Sequence, residues 1–257
     1  MAGATAASKS KQIADKIEAM SMAIKQGDPF NLFSWKQLER ELESIKGQPE
    51  NYGHYLLNSA ALWGIRGDEA EISKFLNIYV GKLGKDWNWH AVRASLTPFL
   101  GKADGVAEML EFGYPKDSRD VLAAVAELCT QSGFFLSSKK ILDDLQEYDP
   151  EFAENLVVSN FSFVKNAAHY MLENELGEIS VAERITHLSK VMVCEGVHLS
   201  KYNVIANKFG ITFEFAVNAE VERLVDLNML ISDRLAADFS DSLSQHLSVG
   251  VVPWEDV

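Results

Sequence analysis

Two cysteines and six prolines in 257 residues leave this chain with little covalent stapling and little punctuation. So few cysteines exclude a disulfide-framed domain, and Cys129 and Cys194, both set in apolar helical patterns, read as reduced interior thiols. Sparse Pro, with sixteen Gly, argues against many short strands joined by tight turns. No run of about 18 apolar residues occurs, so no helix is expected to span a membrane. The N-terminal MAGATAASKSKQ lacks the apolar stretch of a secretory signal, and a cytoplasmic protein is the expectation. Cations are also short: 24 Lys and Arg face 37 Asp and Glu, a net charge of −13. Nucleic-acid binding rests on neutralising phosphates, which this balance opposes. The chain also lacks G-x-G-x-x-G, a P-loop, H-E-x-x-H, C-x-x-C and G-x-S-x-G, so no motif predicts a catalyst, cofactor or metal.

What is present is helical. The apolar fraction is 47%, enough for a sizeable core, and Ala, Leu, Glu and Lys are plentiful. The clearest stretch is Ser118 to Pro150. Leu122, Val125, Ala126 and Cys129 fall at i, i+3, i+4 and i+7, a stripe on one helix. Gly133 breaks that helix with a permissive backbone. Ile141, Leu142 and Leu145 form a second stripe, with small Ser138 placed for close helix contact, and Pro150 stops it.

The same helix–Gly–helix pattern occurs earlier. Aligning Gly67 with Gly133 pairs Leu56 with Leu122, Ala60 with Ala126, Trp63 with Cys129 and Leu76 with Leu142. The two glycines lie 66 positions apart, two lengths of 33, so one degenerate unit is expected between them at Asp86 to Pro115. Thr97-Pro98 and Gly101 mark its reversal. Further upstream, Ile13, Ile17, Met20 and Ile24, then Leu38, Leu42 and Ile45, predict two more helices. Residues 1–8 are small and polar and read as a disordered tail.

Ser118 to Pro150 resembles a tetratricopeptide repeat. The resemblance implies an all-α fold of stacked antiparallel helical hairpins in a right-handed superhelix over 9–150, with a concave face made by the first helix of each pair. It also implies peptide capture on that face. The groove positions carried over are Asp120, Ala123, Glu127 and Thr130, with His54, Leu57 and Ala61 in the earlier unit. Trp is absent from the first core position, and Ile72 stands where a small residue is usual.

After Pro150 the pattern changes, and 151–239 reads as a C-terminal helical or winged-helix-like module. Phe152, Phe161, Phe163 and Tyr170 make its first part aromatic. Ser180-x-x-Glu183 reads as a capping box before Ile185, Leu188 and Val191. Tyr202 to Leu224 has the spacing of a helix-turn-helix, with Gly210 at the turn. Thr212, Phe213, Glu214 and Phe215 on its second helix oppose a phosphate surface. Repeats followed by such a module are loosely similar to the PCI domains of large assemblies. Residues 240–257 read as a polar tail.

Three constellations bear on chemistry. His187, Cys194 and His198 share a helical face and are zinc-ligand types, but Gly196 interrupts the helix. Asp238, Asp241, Ser242 and His246 are the side-chain types of a hydrolytic triad, set in a polar segment. Trp87, Trp89 and His90 form the densest aromatic cluster, and W-N-W puts both indoles on one side if the segment is extended. Indoles are favoured binding anchors. These readings predict a non-catalytic interaction scaffold or adaptor without cofactor or metal. It would bind a basic or apolar partner protein or peptide through Trp87, Trp89, His90, Asp120, Glu127 and Thr130. The alternatives are an enzyme or toxin-like domain with its site at 152–170 around His169, and a PCI-like assembly subunit using 198–231.

Overall fold

The computed structural model describes residues 2–25, 28–197 and 201–254, with side chains from 9 to 24 in the first span. Polar caps set where its helices begin. Asn31 accepts from the Ser34 amide, Asp68 from Glu71, Asp86 from Trp89 and Ser118 from Val121. Each cap satisfies an amide that the first turn leaves unpaired. The helices so defined are α1 Ala2–Lys25, α2 Leu32–Glu43, α3 Tyr52–Gly64, α4 Glu69–Leu83, α5 Trp87–Ser95, α6 Thr97–Leu100, α7 Asp104–Phe112, α8 Arg119–Gln131 and α9 Phe135–Tyr148. They pair consecutively: α1 with α2, α3 with α4, α5 with α7, and α8 with α9. The apolar stripes form the interfaces, and Leu56, Ala60, Leu122, Ala126, Leu76 and Leu142 are all buried. Helix α1 starts at Ala2, where a disordered tail over 1–8 was expected.

The chain continues through α10 Pro150–Leu156, a π-helical turn Val157–Phe161, α11 Val164–Glu173 and α12 Glu178–Cys194. Helix α12 is the strut of the molecule. It runs past the turns of three successive hairpins, each turn made by a glycine with positive φ. A Cβ on Gly67 would stand 2.8 Å from Val193, one on Gly101 2.7 Å from the Cβ of Lys190, and one on Gly133 2.7 Å from Ile185. From Val181 to Val193 this row spans about 18 Å of helix. Side chains lock it: Lys190 pairs with Glu69, and the Glu178 carboxylate accepts from the amide and hydroxyl of Ser137. The expected capping box at Ser180 is therefore corrected. Ser180 lies inside α12, and the acidic residue that caps is Glu178, acting on the first turn of α9.

Beyond α12 the expectation of helices holds for Val221–Asp238 and is overturned on either side of it. Strands β1 Lys201–Asn207 and β2 Gly210–Val217 form an antiparallel hairpin, and β3 Leu247–Pro253 pairs parallel to β2, giving the order β1-β2-β3. Helix α13 Val221–Asp238 makes the β2-to-β3 crossover. The fold is thus mostly helical with a small sheet, and 201–231 is no helix-turn-helix. The reason is period: Tyr202, Val204, Ala206 and then Ile211, Phe213, Phe215, Val217 alternate with outward residues, and β-branched and aromatic side chains suit that pleat. Asn207 accepts from the Phe209 amide at 2.8 Å and closes the hairpin loop. The presumed polar tail contributes β3, whose Leu247, Val249 and Val251 complete the inner face. That face packs on α11, α12 and α13. Asn228 of α13 donates to the Val251 carbonyl and accepts from its amide, both at 3.0 Å, which blunts the β3 edge.

Candidate partner-binding cavity

The Trp87, Trp89 and His90 cluster is not an outward anchor. Asp86 caps α5, so W-N-W-H is a helical first turn, and residues two apart point to nearly opposite sides. Trp89 is 5% exposed, and its Nε1 donates to the Leu76 carbonyl at 3.2 Å. His90 is equally buried, stacked on Phe112 with ring centroids 4.4 Å apart. Burial holds its imidazole below the usual histidine range, and Nδ1 has no hydrogen-bond partner. Trp87 is half-buried against the α7–α9 core.

The groove positions divide. Thr130 is buried, with its hydroxyl bonded to the Ala126 carbonyl and to Ser138, so it is core and not a partner contact. Leu57 is also core, and Asp120 and His54 are exposed. Ala61 and the neighbourhood of Glu127 are different, because both bear on a cavity of about 500 Å³. That volume lies in the range usual for ligand sites, roughly 300–1,000 Å³.

The cavity wall is built from one helix of every hairpin. Helix α1 supplies Ile17 and Met22, α3 supplies Asn58 and Ala61 with Ile65 at its C-terminal end, α5 supplies Val92 and Ser95, and α8 supplies Gln131. These are the first helices of four successive pairs, and α2, α4, α7 and α9 contribute nothing to the lining. Leu96, Pro98 and Phe99 close one end. The opposite wall is the sheet: Lys201, Tyr202, Phe213 and Phe215. Tyr202 stacks on Phe213 at 5.4 Å, nearly parallel, and Phe213 meets Phe215 edge-on at 5.1 Å.

One polar group crosses between the two walls. The Tyr202 hydroxyl donates to Glu127 Oε1 at 3.4 Å, and Gln131 Nε2 donates to the same oxygen at 2.6 Å. Burial, and then the Glu127 charge, push the Tyr202 hydroxyl well above the usual tyrosine range, so it acts as a donor throughout the physiological range. The cavity can therefore take an apolar body and offer it a few polar contacts: the amides of Asn58 and Gln131, and Glu18 and Lys201 at its exposed margin. Its sheet wall is not what the sequence predicts, because the spacing of 202–224 around Gly210 also fits a helix-turn-helix. The β1–β2 alternation itself was the available signal.

The other candidate constellations are dispersed. Asp238 pairs with His187 at 3.0 Å, Asp241 pairs with the buried guanidinium of Arg184, and His246 Nδ1 is hydrogen-bonded to the Tyr170 hydroxyl at 2.8 Å. Ser242 is exposed and joins none of them, so these residues fasten 238–246 to α11 and α12 and form no triad. His187 is thus committed to a carboxylate, Cys194 is exposed at the end of α12 and not interior as its apolar setting suggested, and His198 lies outside the described residues. His169, around which the enzyme alternative places its site, is exposed and paired with Glu173.

No family model matches this sequence, and no curated protein or solved structure is significantly similar to it. Among the described residues no helix is long and apolar enough to cross a membrane.

Proposed function

We propose that this chain is a non-catalytic binding module, a cytoplasmic adaptor that receives a short apolar segment of a partner protein in the cavity between its helical hairpins and its sheet. One observation carries this reading: the first helices of four successive hairpins line a single cavity, and their partner helices do not. That is the geometry a tetratricopeptide-like stack offers on its concave face. Here the C-terminal sheet roofs that face, so the pocket is narrower than an open groove. Apolar walls with few polar groups favour a segment carrying a large aliphatic or aromatic side chain, oriented by hydrogen bonds to Asn58 or Gln131. Two unpaired thiols, Cys129 and Cys194, suit a reducing compartment.

The test is selection of a displayed random-peptide library on the full chain, with affinities of the recovered peptides measured by fluorescence anisotropy. Ala61→Trp, which fills the cavity from α3, should weaken binding at least tenfold with the melting temperature preserved. Lys139→Ala, far from the cavity, should leave it unchanged. Peptides that bind Ala61→Trp as well as wild type would overturn the assignment.

A further inference from the structure

The crossover helix α13 carries two apolar rows, and the fold uses only one. Leu224, Leu227 and Ile231 are buried against α12 and the sheet. On the other side Val221, Val225 and Met229 are 69%, 51% and 63% exposed. Their spacing of four residues makes a ridge about 12 Å long, running with the helix axis. Solitary exposed apolar side chains are ordinary, but an aligned row on a helix face marks an interaction surface.

The flank of this ridge is uniformly acidic. Glu222, Asp226 and Asp233 are all exposed and project from the side of the helix adjoining Met229. Among the described residues none of the three has a cationic partner. The arginines of α13 point elsewhere: Arg223 pairs with Glu195 just past the end of α12, and Arg234 shares its side of the helix. A ridge of i, i+4 side chains beside a row of carboxylates is complementary to one kind of partner. We propose that α13 docks a basic amphipathic helix from another protein, whose apolar stripe packs on Val221, Val225 and Met229 and whose flanking Lys or Arg side chains meet Glu222, Asp226 and Asp233. Helix ridges pack into the grooves of a second helix at this spacing, and the carboxylates select its charge and orientation. Nucleic acid and anionic membrane are repelled by the same row. The surface is separate from the cavity, and the proposal stands independently of that reading.

The experiment uses the full chain and two synthetic helical peptides with identical Leu stripes, one flanked by Lys and one by Glu. Binding is followed by isothermal titration at low and at moderate salt. The Leu/Lys peptide should bind at least tenfold tighter than the Leu/Glu peptide, and added salt should weaken it. Combined Glu222→Lys, Asp226→Lys and Asp233→Lys should abolish or reverse the preference. Val225→Ser with Met229→Ser should weaken binding at least fivefold, with circular dichroism unchanged. Reversing the exposed Glu147, Glu151 and Glu154 to Lys adds the same charge elsewhere. If that control lowers affinity as much as the α13 reversal, the attraction is generic and the proposal fails. It fails equally if sedimentation shows a self-associated chain that Val225→Ser dissociates, because the ridge then serves a second copy.

Discussion

The seating of α12 along the hairpin turns can be tested at one glycine with a matched control. Gly133 and Gly196 both end helices with positive φ, +83° and +76°. Both have the same bonds: the glycine amide donates to the carbonyl three residues back, and the next amide to the carbonyl five back, at 3.1 and 2.8 Å for Gly133 and 3.0 and 3.0 Å for Gly196. Only their surroundings differ. Among the described residues a Cβ on Gly196 meets nothing within 4 Å, whereas one on Gly133 stands 2.7 Å from Ile185 Cδ1 and 3.2 Å from the Ala182 Cα. Alanine at positive φ costs about 1–2 kcal/mol, partly offset by about 0.4–1 kcal/mol of lost unfolded-state entropy. Gly196→Ala should therefore lose about 1 kcal/mol. Gly133→Ala carries that loss plus about 1–3 kcal/mol of overpacking, because a backbone atom of α12 cannot turn aside. Urea unfolding followed by circular dichroism should show a difference of about 1–3 kcal/mol between the variants, with equal m-values. In thermal melts this is roughly 2–12 °C for a chain of this size. Asparagine, which tolerates positive φ, should be nearly silent at 196 and still destabilising at 133. Equal losses at the two sites would refute the seating of α12 on the turn.

Trp89→Ala should lose about 3–5 kcal/mol in urea unfolding, the range for a buried aromatic; a loss under about 1 kcal/mol would return the indole to the surface. Leu142→Ala should lose about 2–5 kcal/mol while half-buried surface Lys139→Ala stays within about 0.5, and equal midpoints for the pair would remove the α8–α9 hairpin from the core. His90 has its pKa lowered chiefly by burial, with Lys85 and Arg93 adding to the effect and Glu108 opposing it. The unfolded chain then binds a proton that the folded one refuses, so stability falls as pH drops through about 6.5 and below; His90→Phe should flatten that slope, and an unchanged slope would place the titrating group elsewhere. Asn228→Ala removes both side-chain bonds to Val251, which should cost about 1–3 kcal/mol and speed exchange of the Val251 amide, with unaltered exchange counting against the edge-blocking role.

The helical hairpins were legible because each is written locally. A stripe at 3.6-residue period, a polar cap and a turn glycine are all contained within about 34 residues, and Leu122, Val125, Ala126, Gly133, Ile141 and Leu145 occupy the places their spacing assigned. The sheet is written in the sequence only ambiguously. Gly210 after Asn207 marks a hairpin as well as a helix turn, and only the alternation of Phe213 and Phe215 decides between them. The tail was harder. Leu247, Val249 and Val251 alternate, but their partner lies more than thirty residues upstream across α13, and parallel pairing leaves no turn signal.

For the candidate site, the tetratricopeptide resemblance pointed to Ala61, which lines the cavity, and to Glu127 beside it, but it pointed equally to Thr130 and Leu57, which are core. The sequence could not separate Trp89 in the interior from Trp89 on the surface. An indole is suited to either environment, and the choice depends on where the Leu76 carbonyl comes to lie. Nor could it show that Gly67, Gly101 and Gly133 are glycines for a shared reason. Each is an ordinary helix terminator when read alone, and only the passage of α12 across all three turns removes the room for a Cβ. The cavity is likewise a product of tertiary structure. Its helical wall follows from the successive helical hairpins, but its enclosure depends on the hairpin that brings Tyr202 over Glu127, a contact between residues 75 positions apart that no local pattern encodes.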